Sequence, residues 1–208
     1  EIEFILADSV TSLLLSEERF EATIADLVPE VRSHLSLALL IRQSQPPASS
    51  WDLESAAVAM ESPAAIYYTS GTTGKPKGVV HTHRSLIAGA LQGPLGWEYQ
   101  DESVINLATT PLFHIANHTV YLPTLLVGGT LVVDTYKTEQ VFELIQQHRV
   151  SQLFAVPSML LLMVQFAQRD RYDTGSVMRV LFGAAPMPVH KLEAVQALFP
   201  NAALIHGM

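Results

Sequence analysis

The feature that most limits how these 208 residues can fold is a regular alternation in the second half of the chain. Short apolar runs at Val104 to Thr109, Leu131 to Val133, Leu153 to Val156, Val180 to Phe182 and Ala203 to Ile205 read as strands. Stripes of helical spacing separate them. Val141, Leu144, Ile145 and His148 mark one helix face, and Val189, Leu192, Val195 and Leu198 mark another. Ser158 to Gln168 is apolar almost all round, which predicts a buried helix, and a further helix is expected from about Asn117 to Leu126, interrupted by Pro123. Strands that alternate with helices in this way pair in parallel through right-handed crossovers, with helices covering the sheet. The expected fold class is α/β, with mostly parallel sheets flanked by helices.

The first half is less regular. Val10 to Leu15 reads as a short strand, and Phe20, Ile24, Leu27, Val28 and Val31 recur at helical spacing, with Pro29 bending or ending that helix. Leu35 to Ile41 reads as a buried strand. Residues 42–63 are rich in Gln, Ser and Pro around one amphipathic patch, Trp51 to Met60, and are expected to form a mobile connector. A strand at Ala64 to Tyr68, a second at Val79 to His81 and a helix from about Thr82 to Leu91 follow.

Between those two strands lies the string Tyr68-Thr69-Ser70-Gly71-Thr72-Thr73-Gly74-Lys75-Pro76-Lys77-Gly78. From Ser70 to Gly78 it holds three glycines, three hydroxyls and two lysines. Glycine lets successive N–H groups turn into one concavity, and such a nest binds phosphate oxygens. Hydroxyls add donors, and Lys75 and Lys77 add positive charge where a polyphosphate would lie. The spacing is not that of a Walker A loop, because Pro76 follows Lys75 where a Ser or Thr should bind Mg²⁺. Nor does it match the Gly-x-Gly-x-x-Gly of a dinucleotide fold. A flexible Gly/Thr turn with solubilising lysines is the bland alternative.

Composition removes several functions. A net charge of −8 with no basic stripe argues against a nucleic-acid surface. The absence of cysteine excludes disulfides and Cys-ligated zinc, and fits a reducing, cytoplasmic setting. The longest apolar runs, near Leu35 to Ile41 and Met159 to Val164, fall short of the ~18 residues a membrane span needs. His34, His81, His83, His148 and His190 form no ligand-spaced set and are not read as metal ligands. The chain opens on Glu1-Ile2-Glu3 and stops at Met208, and both ends read as cuts through a longer protein.

The string from Tyr68 to Val79 resembles the phosphate loop of the adenylate-forming, or AMP-binding, superfamily, in its acyl-CoA synthetase and aryl-CoA ligase branch. The resemblance implies that Thr69, Ser70, Gly71, Thr72, Thr73, Gly74, Lys75 and Lys77 bind the nucleotide, with Lys77 acting in catalysis. Pro111-Leu112-Phe113-His114 is similar to a segment whose histidine gates the carboxylate, so His114 is carried over as catalytic and, with Ile115 and Ile205, as part of an acyl pocket. From the residues alone, a core histidine satisfied by a backbone carbonyl is the favoured reading. Peptide-synthetase adenylation domains carry an aspartate in this segment for the substrate amine, and no such aspartate is present here. Gly183, Ala184, Ala185 and Pro186 resemble the step that runs along adenine. His206 and Gly207 resemble the start of the next motif, with His206 in the place of a stacking aromatic.

The resemblance further implies ATP, Mg²⁺ and coenzyme A, with the magnesium glutamate expected beyond Met208, and a small-molecule carboxylic acid, fatty or aryl. Fatty-acid metabolism is the implied setting. It assigns residues 1–208 to a partial adenylation domain, lacking the start of the N-terminal domain and the mobile C-terminal domain. A nucleotide-binding module without chemistry and an aminoacyl adenylation domain stay open as alternatives. Oligomeric state is not readable.

Overall fold

The order of strands in a parallel sheet follows from which way each crossover turns, and here that direction reverses once. The computed structural model describes residues 1–25, 33–36, 57–71, 74–96 and 102–207. These form two compact units, divided along the chain between His83 and Arg84.

The first unit opens with α1 (Ile2–Asp8), β1 (Leu13–Ser16), a 3₁₀ turn at Glu18–Phe20 and α2 (Glu21–Ala25). β1 pairs in parallel with β2 (Ser33–Ser36), Leu13 opposite Ser33. β3 (Pro63–Thr69) and β4 (Lys77–Thr82) make an antiparallel hairpin, and the helix that follows, α3 (His83–Gly96), belongs to the second unit from Arg84 on. The expected strand at Leu35 to Ile41 starts earlier, at Ser33, and residues 37–41 lie outside the described residues. So do Leu27, Val28, Pro29 and Val31 of the expected helix and residues 42–56 of the expected connector. α1 was not anticipated, because seven residues hold too few turns to show a period.

The second unit is the alternating part. β5 (Ile105–Ala108), α4 (Ile115–Leu126), β6 (Thr130–Val133), α5 (Thr138–His148), β7 (Gln152–Ala155), α6 (Pro157–Gln165), β8 (Arg179–Gly183), α7 (Val189–Leu198) and β9 (Ala203–Gly207) follow in turn. All five strands are parallel, in the order β6-β5-β7-β8-β9. The chain steps from β5 to β6 one way, then returns past β5 and continues the other way. Right-handed crossovers therefore place α4 on one face and α5, α6 and α7 on the other.

The core confirms that division. Leu107, Leu153 and Val180 pack with Val141, Phe142, Ile145, Leu160, Met163, Val195 and Phe199 from α5, α6 and α7. Phe142, fully buried, stacks on Phe166 at 5.6 Å and on Tyr172 at 5.5 Å. Asn106, one residue before Leu107, faces α4 instead, where its Nδ2 donates to the Val120 carbonyl at 3.2 Å and to Thr124 Oγ1 at 2.9 Å.

Two expectations need correction. The helix expected at Ser158 to Gln168 ends at Gln165, where Phe166 turns extended (φ −66°, ψ 118°), and Leu162 is 51 % exposed. Val189 heads its helix but is 73 % exposed, since the first turn projects beyond the core. At the end of α5, Arg149 takes the left-handed conformation (φ 50°, ψ 48°) that glycine adopts without cost. Arg149→Gly is expected to stabilise the protein by about 0.5–1 kcal/mol, part of the left-handed penalty being offset by glycine's extra chain entropy. A higher urea midpoint at unchanged m-value is the result that bears this out; a lower midpoint refutes it.

Candidate functional site

In the first unit the hairpin register sets Tyr68 opposite Gly78 and Thr69 opposite Lys77, which closes the loop from Ser70 to Pro76. Gly71 (φ +62°) and Gly74 (φ +82°) both take left-handed backbone, and the Gly74 N–H donates to the Gly71 carbonyl at 3.4 Å. A Cβ on Gly71 would run into the Lys75 carbonyl. The Lys77 γ-carbon passes 3.6 Å from that same point, so the lysine stem lies along the loop. Thr69, Ser70 and Lys75 are exposed, whereas Thr72 and Thr73 lie outside the described residues. The result is a tight, cationic turn with outward donors.

The strand entering the loop is anchored. Tyr68 Oη donates to Asp8 Oδ2 at 2.7 Å, and the ring lies over Gly78, its Cζ 3.0 Å from where a Cβ would stand. That hydrogen bond, with some desolvation and the Asp8 charge, raises the Tyr68 pKa above the ordinary phenol value. A raised phenol pKa means the tie is whole at neutral pH and is lost only as pH climbs through the Tyr68 ionisation in the alkaline range. Asp8 ends α1, where the helix dipole disfavours an acid, so the phenol donor offsets a local cost.

In the second unit the expected residues gather on one edge of the sheet, at the carboxyl ends of the strands. That edge, at the point where strand order reverses between β5 and β7, is where open α/β sheets bind ligands. β5 runs through buried Thr109 and Thr110 into a turn closed by the His114 N–H on the Pro111 carbonyl at 3.0 Å. His114 is exposed there, beside Phe113 at 82 % exposure, and half-buried Ile115 opens α4. Gly183 ends β8, buried so closely against β9 that a Cβ would strike the Gly207 carbonyl. Ala184 follows with φ +66°, a strained conformation for a residue with a side chain, and Ala184, Ala185 and Pro186 are exposed.

On β9 the two neighbours part. His206 stacks on Phe182 at 5.0 Å with an interplanar angle of 21°, and Phe182 belongs to the core under α5, α6 and α7. Ile205, one residue earlier, points to the α4 face. The residues expected for the base and for the acyl wall thus occupy opposite faces of one strand.

Among the described residues, several buried polar side chains escaped the sequence reading, His118, Asn106 and Gln152 among them. His118 is 8 % exposed on α4, its Nδ1 3.0 Å from Tyr121 Oη. It stands one helical turn after His114, a spacing that could have flagged it. Asn106 and Gln152, both fully buried, interrupt strands that look wholly apolar, and nothing local marks them. Among the described residues no group of three or more His, Cys, Asp or Glu side chains could hold a metal ion.

Comparison with known proteins places this geometry. The sequence profile described as AMP-binding enzyme matches residues 1–208. The 4-coumarate–CoA ligase 1 of Solanum tuberosum is 38 % identical over 148 residues, covering 69 % of this chain and 27 % of that protein. Among solved structures, the inhibitor-bound N-terminal domain of FACL13 from Mycobacterium tuberculosis superposes with a TM-score of 0.82 at 28 % identity, covering 100 % of this chain and 52 % of that one. The O-succinylbenzoate coenzyme A synthetase of Bacillus subtilis, in complex with ATP and magnesium ion, gives 0.80 at 26 % identity, covering 100 % and 42 %. The chain therefore spans about a quarter of the length of the curated relative it matches. By the match along its whole length, the chain belongs to the AMP-binding enzyme family, the adenylate-forming acid–CoA ligases and their relatives.

Proposed function

We propose that these residues form the central part of the N-terminal domain of an AMP-forming acid–thiol ligase, which activates a fatty or aryl carboxylic acid with ATP and passes the acyl group to coenzyme A. The observation that carries this reading is the loop at 70–76. Its left-handed Gly71 cannot bear a side chain, and its Lys77 stem is laid along the turn.

A carboxylate is a poor acyl donor because its leaving group would be oxide. In the proposed reaction a carboxylate oxygen attacks the α-phosphorus of ATP, the bond to the β-phosphate bridge breaks, and pyrophosphate leaves with the electron pair. The product is the mixed anhydride acyl-AMP; a thiolate then attacks its carbonyl and AMP departs. Charge grows on the leaving phosphates, and preorganised donors aimed at that charge are the largest available source of acceleration. Thr69, Ser70, the Gly71 and Gly74 backbone, Lys75 and Lys77 supply them, with Thr72 and Thr73 of the same string. Magnesium would enter with ATP in this reading and, when bound, would help neutralise the leaving phosphates. His114, exposed on the turn before α4, is the proposed contact for the substrate carboxylate. Gly183, Ala184, Ala185 and Pro186 offer a side-chain-poor edge for a flat base, and His206, held by Phe182 on one side, offers a face for stacking.

Carboxylate-dependent ATP–pyrophosphate exchange, assayed with a panel of fatty and aryl acids on the full-length protein that carries this segment, is the test. Exchange that requires one of these acids supports the reading. Nucleotide binding with no exchange for any acid would replace it with a binding module, and exchange dependent on an amino acid would move it to the aminoacyl class.

A further inference from the structure

Two departures from ordinary helix chemistry stand close together at the end of α1. Asp8 closes the last turn, where the helix dipole favours a base over an acid. Two residues on, Val10 takes the left-handed conformation (φ 51°) that a β-branched side chain resists. Val10 is also 82 % exposed, so burial does not offset the strain. The turn is nonetheless well closed. The Val10 N–H donates to the Ala7 carbonyl and the Thr11 N–H to the Leu6 carbonyl, both at 3.1 Å, a helix stop that ordinarily has glycine in the place of Val10. Ser9 Oγ reaches the Ile5 carbonyl and Thr11 Oγ1, each at 2.6 Å. The helix ends at a local cost, and its end is held firmly.

What that end holds is Tyr68. Asp8 Oδ2 accepts from Tyr68 Oη at 2.7 Å, across 60 positions of sequence. Tyr68 is the last residue but one of β3, and its ring lies over Gly78, its register partner on β4. One side chain therefore ties α1 to both strands at the base of the loop. Neighbouring strand residues point to opposite faces, so Thr69 and its partner Lys77 stand on the face away from Tyr68. Tyr68 thus acts on those proposed donors only through the backbone. Sequences break local rules mainly where function demands it, and an acid and a strained valine retained at one helix end fit that pattern.

We propose that Tyr68 and Asp8 are positioning residues for the nucleotide: their hydrogen bond fixes the end of β3 and so holds Gly71 and the loop it opens in the phosphate-binding geometry. This rests on the nucleotide-loop part of the reading above and extends it to residues that meet no substrate. A loop released from α1 spends part of its time in forms that do not bind, and apparent affinity falls with the competent share.

The experiment is isothermal titration of ATP into the full-length protein and into Tyr68→Phe, which deletes the hydroxyl and keeps the ring over Gly78. The dissociation constant is expected to rise about three- to tenfold, as the competent share of the loop falls by that factor. The melting temperature should move little, since the bond lies at the surface. Asp8→Ala should lose as much, and the double variant no more than either alone, because both changes remove one bond. Asp8→Asn, whose side-chain oxygen still accepts the phenol proton, should stay within about twofold of the unaltered protein. In pyrophosphate exchange the loss should fall on the KM for ATP and leave the KM for the acid in place. The two Asp8 variants decide alone if Tyr68→Phe does not fold. A lower melting temperature with unchanged ATP affinity would overturn the proposal and make the bond an ordinary fold contact. Additive losses in the double variant would overturn it as well. An unaltered protein that binds no ATP would refute the nucleotide-loop reading itself, and the brace with it.

Discussion

On the proposed function, Gly71→Ala is expected to weaken ATP binding by the full-length protein about 10–100-fold and to leave its melting temperature nearly unchanged. The residue sits at φ +62°, and a new Cβ would meet the Lys75 carbonyl, so the loop must open to accept it. Left-handed backbone on a residue with a side chain costs about 1–3 kcal/mol, and each 1.4 kcal/mol taken from the binding-competent loop is about a factor of ten in apparent affinity. Stability is spared because the β3–β4 ladder beneath the turn is untouched. Gly74→Ala is the matched control. It carries the same sign of φ (+82°) but open space around its Cβ, so its loss should be smaller. Isothermal titration with ATP measures both. Equal affinities for Gly71→Ala and the unaltered protein would remove this turn from the nucleotide site.

The largest effect on stability is expected at Phe142. Truncation to alanine removes a side chain with 0 % exposure and both of its ring stacks, on Phe166 and Tyr172. Phe→Ala in a close-packed core costs about 3–5 kcal/mol, a large share of the 5–15 kcal/mol that holds an ordinary domain folded. The Phe142→Ala protein should unfold at markedly lower urea. Phe113→Ala, the same change at 82 % exposure, should leave the midpoint within about 0.5 kcal/mol of the starting protein. A small loss at Phe142 would mean that the space collapses around it.

How much of this was written locally differs from element to element. The stripe Val141, Leu144, Ile145, His148 predicts α5 because a single buried face leaves a 3.6-residue period, and the structure buries Val141 and Ile145 there. The strands at 131–133, 153–156 and 180–182 were legible for a different reason, as short continuous apolar runs between helical stripes, within a residue or two of their ends. Their order was not. That β5 lies between β6 and β7 depends on pairings between residues 25 or 46 positions apart, such as Ile105 with Thr130 and Asn106 with Gln152, and no window of sequence contains them. Leu162 shows the limit of composition: an all-apolar helix still turned one leucine half outward.

The candidate site divides in the same way. Gly71 was legible because its chemistry is local, a turn that no side chain fits. The clustering of His114 with Gly183 and His206 on one sheet edge came only with the fold. Asn106 and Gln152 were invisible, since a polar residue in an apolar strand looks like an ordinary exposed position until both faces of the sheet are seen to be covered.

The parting of Ile205 and His206 has a consequence for how such a protein can change. Adjacent positions on β9 answer to different faces, so in the proposed function a substitution at 205 would retune the acid while leaving the platform at 206 undisturbed, and the reverse. The two specificities can drift independently. A one-residue insertion or deletion upstream within β9 would do the opposite, exchanging the two roles in a single event, as any odd slip in a strand does. The close approach of Gly183 to the Gly207 carbonyl leaves little room for such a slip. Point changes are thus the open evolutionary route here, and length changes in this strand the closed one.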